Sequence, residues 1–559
     1  MDVISDNPSR HSSATASEAR HSPQPAPRDF KGTLRQLGPG LIISAVIVGS
    51  GELIVTPKLG AEEGFKLLWF IILGCVLKVF IQIELGRYAI TRGRTTLEAL
   101  NTLPGPRAVV SWVLWIWLAM YFCLVPQVAG MVGGVAKALN LGGVNMPVSV
   151  LAILIGASAA VLLVIGRYRF VETSSTIMVA IFTFCTMIAV GALQFTDFAV
   201  TGAQLASGFT FDLPASLVTA FGAFGIIGVG ASELIYYPYW CLEKGYGRRV
   251  GLDDGSEDWK KSAQGWLRVM RIDAWVSFVI YTSATIAFYL LGAAILHARQ
   301  LKVESSQMIE TLSHMYRSAF GEWSLWLFLC GAIVVLYSTI FGATASNARV
   351  LADALSVFRI NKYRDPEHRM RWVKIGCVIL PIAFTSVFLI FGNPVTLVFW
   401  GAVAQGLMLP FLAGAALYFH FTNRHKELRA RTTSLVCLIV AAVLMAALGI
   451  YQVTDAVLKK LDQPKTPAAA SSKRFAADIP GRCCFHREDV FASWEKCAGH
   501  GRRFWHRRSH CQGTCRGRRA RHRDGYPAGS RRCHDGTDQR IRGERGVPCS
   551  RCRVRTLHC

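Results

Sequence analysis

Apolar runs of about 20 residues recur along the chain from about residue 37 to about residue 453, separated by short polar or basic segments. Twenty apolar residues is the length a helix needs to cross the hydrocarbon layer. The approximate cores lie at 37–57, 66–87, 109–133, 147–165, 170–193, 215–238, 272–297, 323–346, 373–391, 394–421 and 432–453. This pattern predicts an all-α membrane protein with about 11 transmembrane helices. The segments between them alternate in charge. Arg87, Arg92, Arg94 and Arg107 mark one connection, and Arg167 and Arg169 another. The 240–271 and 347–374 segments are the most basic, whereas 194–214 holds no Lys or Arg. With the N-terminus inside, inner loops carry about 24 Lys and Arg and outer loops about six, as the positive-inside rule requires. The expected location is the cell (plasma or inner) membrane, with a cytoplasmic N-terminus.

Two spans are interrupted in the same way. The first contains GSGELIV at 49–55 and the sixth GASELIY at 230–236, each a group of small residues followed by Glu-Leu-Ile. A charged group at the centre of a spanning helix costs roughly 2.5–3.5 kcal/mol on insertion scales. Small residues beside it loosen the helix, which is tolerated around a cavity or a bound ion. On the assigned topology the first span runs outward and the sixth inward. The motif therefore recurs in opposite orientations, as in an inverted 5+5 repeat. The repeats fall at about 36–193 and 215–421, and the eleventh helix at 432–453 lies outside them. Matched interrupted spans of this kind point to a transporter's binding site.

Composition narrows the picture. Of 559 residues 52% are hydrophobic and 17% charged, with mean hydropathy +0.33, which excludes an ordinary soluble domain. Residues 1–35 are rich in Ser, Pro, His and Arg and read as a disordered cytoplasmic tail. The transporter domain is expected over 36–458. The net charge of +25 is uneven, since 465–559 carries about +15 of it and about nine of the 16 cysteines. Residues 459–559 read as a disordered tail, Arg-, Cys- and Gly-rich without aliphatic periodicity, with the composition of a GC-rich coding sequence read out of frame. Cys511, Cys515, Cys549 and Cys552 are spaced too irregularly for a zinc module. The basic run is not read as a nucleic-acid site. Cys75, Cys123, Cys185, Cys241, Cys330, Cys377 and Cys437 are scattered singly through the spans and read as packing residues. The phosphate-binding loop GxxxxGK[ST] is absent, as are phosphorylatable Asp motifs. An enzyme or ATP-driven pump is not expected, and no cofactor is.

The interrupted spans offer an all-oxygen ligand set: backbone groups of Gly49, Ser50, Gly51, Gly230, Ala231 and Ser232, the Ser50 and Ser232 hydroxyls, and the carboxylates of Glu52 and Glu233. Such ligands suit hard divalent cations. Either Glu could instead cap the half-helix that follows it. Gln127 in the third span and Gln405 in the tenth are weaker pathway candidates. Lys78 and Glu84, six apart in the second span, are expected to pair with other helices, and Asn347 to make an interhelical hydrogen bond.

The run from GPGLIISAVIVGSGELIV to GAEEGFKLLW (38–69), GIIGVGASEL (225–234) and LPF (409–411) resemble the Nramp divalent-metal transporters, in order and spacing over about 36–455. The resemblance implies a LeuT-like fold of two inverted five-helix repeats plus one helix. The chain departs from the family's signatures. Where the family has Asp-Pro-Gly-Asn it has Gly49-Ser50-Gly51-Glu52, and Met-Pro-His aligns with Ser232-Glu233-Leu234. Acidic residues of the family's proton path align with Met120, Gln127 and Gly130. The pattern is similar to a divergent Nramp-related branch, some members of which are thought to carry Mg²⁺.

The expected function is secondary transport of a divalent metal cation, Mg²⁺ or Mn²⁺, held between the two interrupted helices. The expected partners are that ion and the lipid bilayer, with a monomer plausible. Two alternatives stay open: a symporter of a cationic or zwitterionic organic substrate on the same fold, and a non-transporting pseudo-transporter.

Overall fold

A computed structural model describes residues 23–462 apart from 166–167, 213, 215–216, 302–307 and 364. The Cys-rich tail, its four candidate zinc cysteines and residues 1–22 lie outside the described residues. Eleven apolar helices follow in order: α1 (Pro39–Glu63), α2 (Leu68–Arg92), α3 (Trp112–Leu141), α4 (Val148–Val164), α5 (Tyr168–Ala192), α6 (in two pieces, α6a Leu217–Ile226 and α6b Ala231–Glu243), α7 (Glu257–His297), α8 (Ser324–Val357), α9 (Pro366–Phe391), α10 (Pro394–Thr422) and α11 (Thr432–Asp462). Among the described residues, nine of these are long and apolar enough to cross a membrane, and α4 and the described apolar part of α5 are shorter. A two-residue antiparallel ladder between Arg107–Ala108 and Val110–Ser111 ties the α2–α3 connection.

The architecture is the LeuT-like inverted repeat, α1–α5 against α6–α10. Helices of one half pack on their counterparts in the other: α2 on α7, α3 on α8 and α4 on α9. Long aliphatic side chains on the outward faces of α9 and α11, such as Ile379, Ile382, Ile390, Val436, Val443 and Ile450, are exposed. An apolar surface of that extent fits lipid contact, not water.

Without a hydrophobic drive between helices in lipid, close backbone approach supplies the packing. Gly225 on α6a is one such point. A Cβ there would lie 2.2 Å from the Ala402 carbonyl oxygen and 2.6 Å from the Gly406 nitrogen of α10. Gly133 on α3 is another, with the Phe388 ring 2.1 Å from where its Cβ would be.

The first helix of each repeat is distorted at the small-residue motif, in two different ways. α6 is interrupted over residues 227–230, with Gly228 at φ +65°, a region that favours glycine. α1 does not break. It continues through Val48–Val55 as a π-helical stretch between α-helical Pro39–Ile47 and Thr56–Glu63. The expected pair of broken helices is thus one broken and one widened helix. Wide turns of this kind are rare and frequently mark functional sites.

The start of α1 is fixed by Asp273 of α7, whose carboxylate accepts from the Gly38 N–H at 2.9 Å and the Gly40 N–H at 2.6 Å. These are donors that a helix start leaves without partners. Residues 23–36 differ from the disordered tail expected over 1–35. The Gln24 N–H donates to the Arg249 carbonyl at 2.7 Å, Ser262 and Trp266 donate to the Gln24 carbonyl, and Phe30–Gln36 is helical with Asp29 as its cap. The segment folds because its backbone finds partners on the α6–α7 connection and the start of α7, which composition does not reveal.

Gly225→Val should prevent α6a from seating on α10 and lower the melting temperature of the detergent-purified protein, overpacking of this kind costing about 1–3 kcal/mol. Gly414→Val, on α10 with nothing within 4 Å of the added carbon, should leave it within a degree or two. Equal melting temperatures for the two variants would contradict this packing.

Candidate functional site

An interruption in a buried helix leaves backbone donors and acceptors without helical partners. Around residues 227–230 the structure satisfies them with side chains from three other helices, α1, α2 and α10. From α1, Glu52 Oε1 accepts from the Gly228 N–H at 2.9 Å and also from Thr285 Oγ1 of α7 at 2.8 Å. From α2, the Lys78 ammonium donates to the Phe224 carbonyl and, at 2.7 Å, to the Ile227 carbonyl. From α10, Gln405 Oε1 accepts from both the N–H and the hydroxyl of Ser232, each at 2.9 Å. Gln405 in turn donates from Nε2 to Gln127 Oε1 of α3 at 2.8 Å. All of these side chains are buried, and Glu52, Lys78, Thr285 and Gln405 have no exposed surface.

Both glutamates lie inside this assembly. Glu233 sits in the first turn of α6b, against Gly230, the Ser232 hydroxyl and its own backbone N–H. That placement sets its carboxylate at the start of α6b, where a helix end favours an anion. Glu52 uses one carboxylate oxygen for the break. The other, Oε2, is buried with no hydrogen-bond partner. A buried acceptor in that condition costs more than an ordinary lost hydrogen bond, and more again when charged. Among the described residues no hydrogen bond joins the two carboxylates. They are linked through Lys78, which lies within electrostatic reach of both.

The remaining candidates divide. Ala231 and Ser232 begin α6b and are buried, and Gly230 leaves room for the Gln405 and Glu233 oxygens, each 2.5 Å from a Cβ placed there. Gly49 instead meets α8, where its Cβ would fall 1.9 Å from Thr339 Oγ1. Gly51 meets α6a, its Cβ falling 2.8 Å from the Ile226 carbonyl oxygen, while its own carbonyl accepts from the Thr56 hydroxyl at 3.1 Å. The side chain of Ser50 is outside the described set. Gln127 and Gln405, the two weaker candidates, are brought together and joined to the start of α6b.

Sequence reasoning missed Thr285 and Cys75, and noticed Lys78 without placing it. Cys75 lies beside the break, its Sγ 2.8 Å from where a Gly228 Cβ would be. A lysine in mid-span was a signal available in the sequence. Thr285 and Cys75 look like ordinary small packing residues there. Asn347 accepts from the Tyr236 hydroxyl at 2.8 Å, the interhelical bond expected of it. Glu84 pairs with Arg87 on its own helix at 2.6 Å, not with another helix as expected, although His420 of α10 stands 3.6 Å away. Among the described residues no three His, Cys, Asp or Glu side chains converge as a metal cage. Any cation here would be held by two carboxylates at most, completed by amide, hydroxyl and backbone oxygens.

The sequence matches the family described as natural resistance-associated macrophage protein-like, Nramp, over residues 40–455. An uncharacterized protein of Pasteurella multocida is 22% identical over 70% of this chain and 86% of its own length. The divalent metal cation transporter MntH of Bacillus subtilis is 24% identical over 77% of this chain and 94% of its own. Among solved structures, a manganese transporter of Eremococcus coleocola, in a histidine-to-alanine mutant, superposes with a TM-score of 0.58 at 14% identity. It covers 80% of this chain and 93% of that one.

Gln405→Leu would strand the Ser232 N–H and hydroxyl and the Gln127 amide together. The expected result is a loss of about 2 kcal/mol or more, at 1–3 kcal/mol for each unsatisfied buried group, read as a lower melting temperature of the purified protein. Gln405→Glu keeps the acceptor that Ser232 needs and should lose less. A leucine variant as stable as wild type would contradict the bridging role.

Proposed function

Because the chain belongs to the natural resistance-associated macrophage protein-like (Nramp) family, we propose that it is a secondary transporter of divalent metal cations, with Mg²⁺ or Mn²⁺ bound between α1 and α6. The observation that carries this reading is Glu52 Oε2, an acceptor with no partner, buried at a π-helical turn beside an interrupted helix. The reading adds the oxygens of Glu233, Ser232 and Gln405, which gather at the start of α6b. An all-oxygen set suits hard ions, and carboxylates supply the charge that a divalent ion loses with its water shell.

In this reading each residue has a part. Glu52 supplies a free carboxylate oxygen while its other oxygen keeps α1 attached to the α6 break. Glu233 supplies the second charge, at the start of α6b where backbone N–H groups already favour an anion. Gln405 and Gln127 fix α6b against α10 and α3, so that relative movement of these helices is felt at the cation. No nucleotide site or chemical step is needed, since an ion gradient can drive the cycle.

Uptake into proteoliposomes tests the reading. Glu52→Gln and Glu233→Gln should each lower Mg²⁺ and Mn²⁺ uptake at least tenfold, the scale of one lost charged ligand, with the protein still folded by size-exclusion chromatography. Wild-type uptake in both variants would overturn the site. Uptake that neither Mg²⁺ nor Mn²⁺ competes for would overturn the choice of ion.

A further inference from the structure

Lys78 is the one feature of the α6 interruption that a divalent-cation carrier does not obviously need. It has no exposed surface, at a depth where an ammonium group is costly. Its partners are also unusual. Among the described residues it makes no ion pair within 4 Å but donates to two backbone carbonyls, Phe224 and Ile227, at the end of α6a, and its Nζ stands 4.6 Å from the centre of the Phe224 ring. Carbonyls at a helix C-terminus carry partial negative charge. Two of them with an aromatic face make a cradle for a small monovalent cation. Glu52 and Glu233 both lie within electrostatic reach of the same position.

We propose that Lys78 is a tethered cation: its ammonium group fills a monovalent-cation position at the broken end of α6a, and the carrier needs no free sodium, potassium or ammonium ion there. The two carboxylates and the cradle would otherwise leave an empty site with two negative charges and unsatisfied carbonyls in the middle of the membrane. The tethered charge removes half of that imbalance without competing for carboxylate oxygens, because the ammonium is held by backbone. Lys78 acts through the α6a carbonyls and the local field, so it is a positioning residue.

The proposal predicts that removal of the amine creates a binding site. Lys78→Ala should lower the melting temperature of the purified full chain. Ethylammonium or propylammonium at 10–100 mM should restore several degrees to that variant while leaving wild type unmoved. Sodium and potassium form parallel arms. Lys78→Arg, which keeps a charge and several donors, should be more stable than Lys78→Met, which keeps only the stem. Failure of every cation to raise the melting temperature of a folded Lys78→Ala protein would overturn the proposal, as would Lys78→Arg no better than Lys78→Met.

Metal uptake is the second readout and rests on the transport function proposed above. Alkylammonium should restore uptake to Lys78→Ala in parallel with stability. The thermal arm needs no metal. A wild-type protein that transports neither ion while Lys78→Ala is still stabilised by amines would sink the transport reading and leave the tethered cation standing.

Discussion

A break in a helix buried in a membrane cannot be left to solvent. Interrupting α6 at residues 227–230 releases carbonyls at the end of α6a and N–H groups at the start of α6b, in a region where water is not there to pair with them. The arrangement around the break follows from that need. Carbonyls take an ammonium group from Lys78, the Gly228 N–H takes a carboxylate oxygen from Glu52, and the Ser232 N–H takes an amide oxygen from Gln405. Acceptors meet a cation and donors meet anionic or amide oxygens, which is the polarity the two helix ends impose. Four helices are thereby held to one point, and a shift in any of them disturbs hydrogen bonds at the centre of the protein.

The two repeats use one motif to different ends, and the glycines account for the difference. Gly228 adopts the left-handed region, so α6 can turn out of its helical path. Gly49 and Gly51 serve close approach, to Thr339 of α8 and to the Ile226 carbonyl of α6a. A helix pressed from two sides by neighbours has little room to unwind, and α1 absorbs its distortion as a wider turn instead. Its glutamate then projects across to the other repeat's break, whereas Glu233 folds back on the start of its own half-helix.

Much of this was legible in the chain. Hydropathy placed the helices because a 20-residue apolar run has few alternatives in a membrane protein, and the repeated small-small-Glu pattern marked where α1 and α6 are distorted. The family resemblance named from GSGELIV, GIIGVGASEL and LPF agrees with the match over 40–455. What sequence could not provide was partnership across distance. Lys78 and its carbonyl acceptors are 146 and 149 residues apart, and Glu52 and Thr285 are 233 apart. No local period records such pairings. The folding of residues 23–36 was hidden for the same reason, since Gln24 is held by Arg249, Ser262 and Trp266.

The proposed cation would sit near Cys75 as well as the carboxylates, and thiols are ligands for soft metals. The surroundings of Cys75 argue otherwise. Cys75 has no exposed surface, and its Sγ packs on the break, 2.8 Å from where a Gly228 Cβ would lie. The side chains that bring hydrogen-bonding groups to the break, Glu52, Ser232 and Gln405, present oxygen. On the proposed reading, a site of that kind would rank ions by charge density and ligand geometry and give no advantage to polarisable metals. The packed thiol at 75 and the oxygens of Glu52 and Ser232 point the same way, from three different helices.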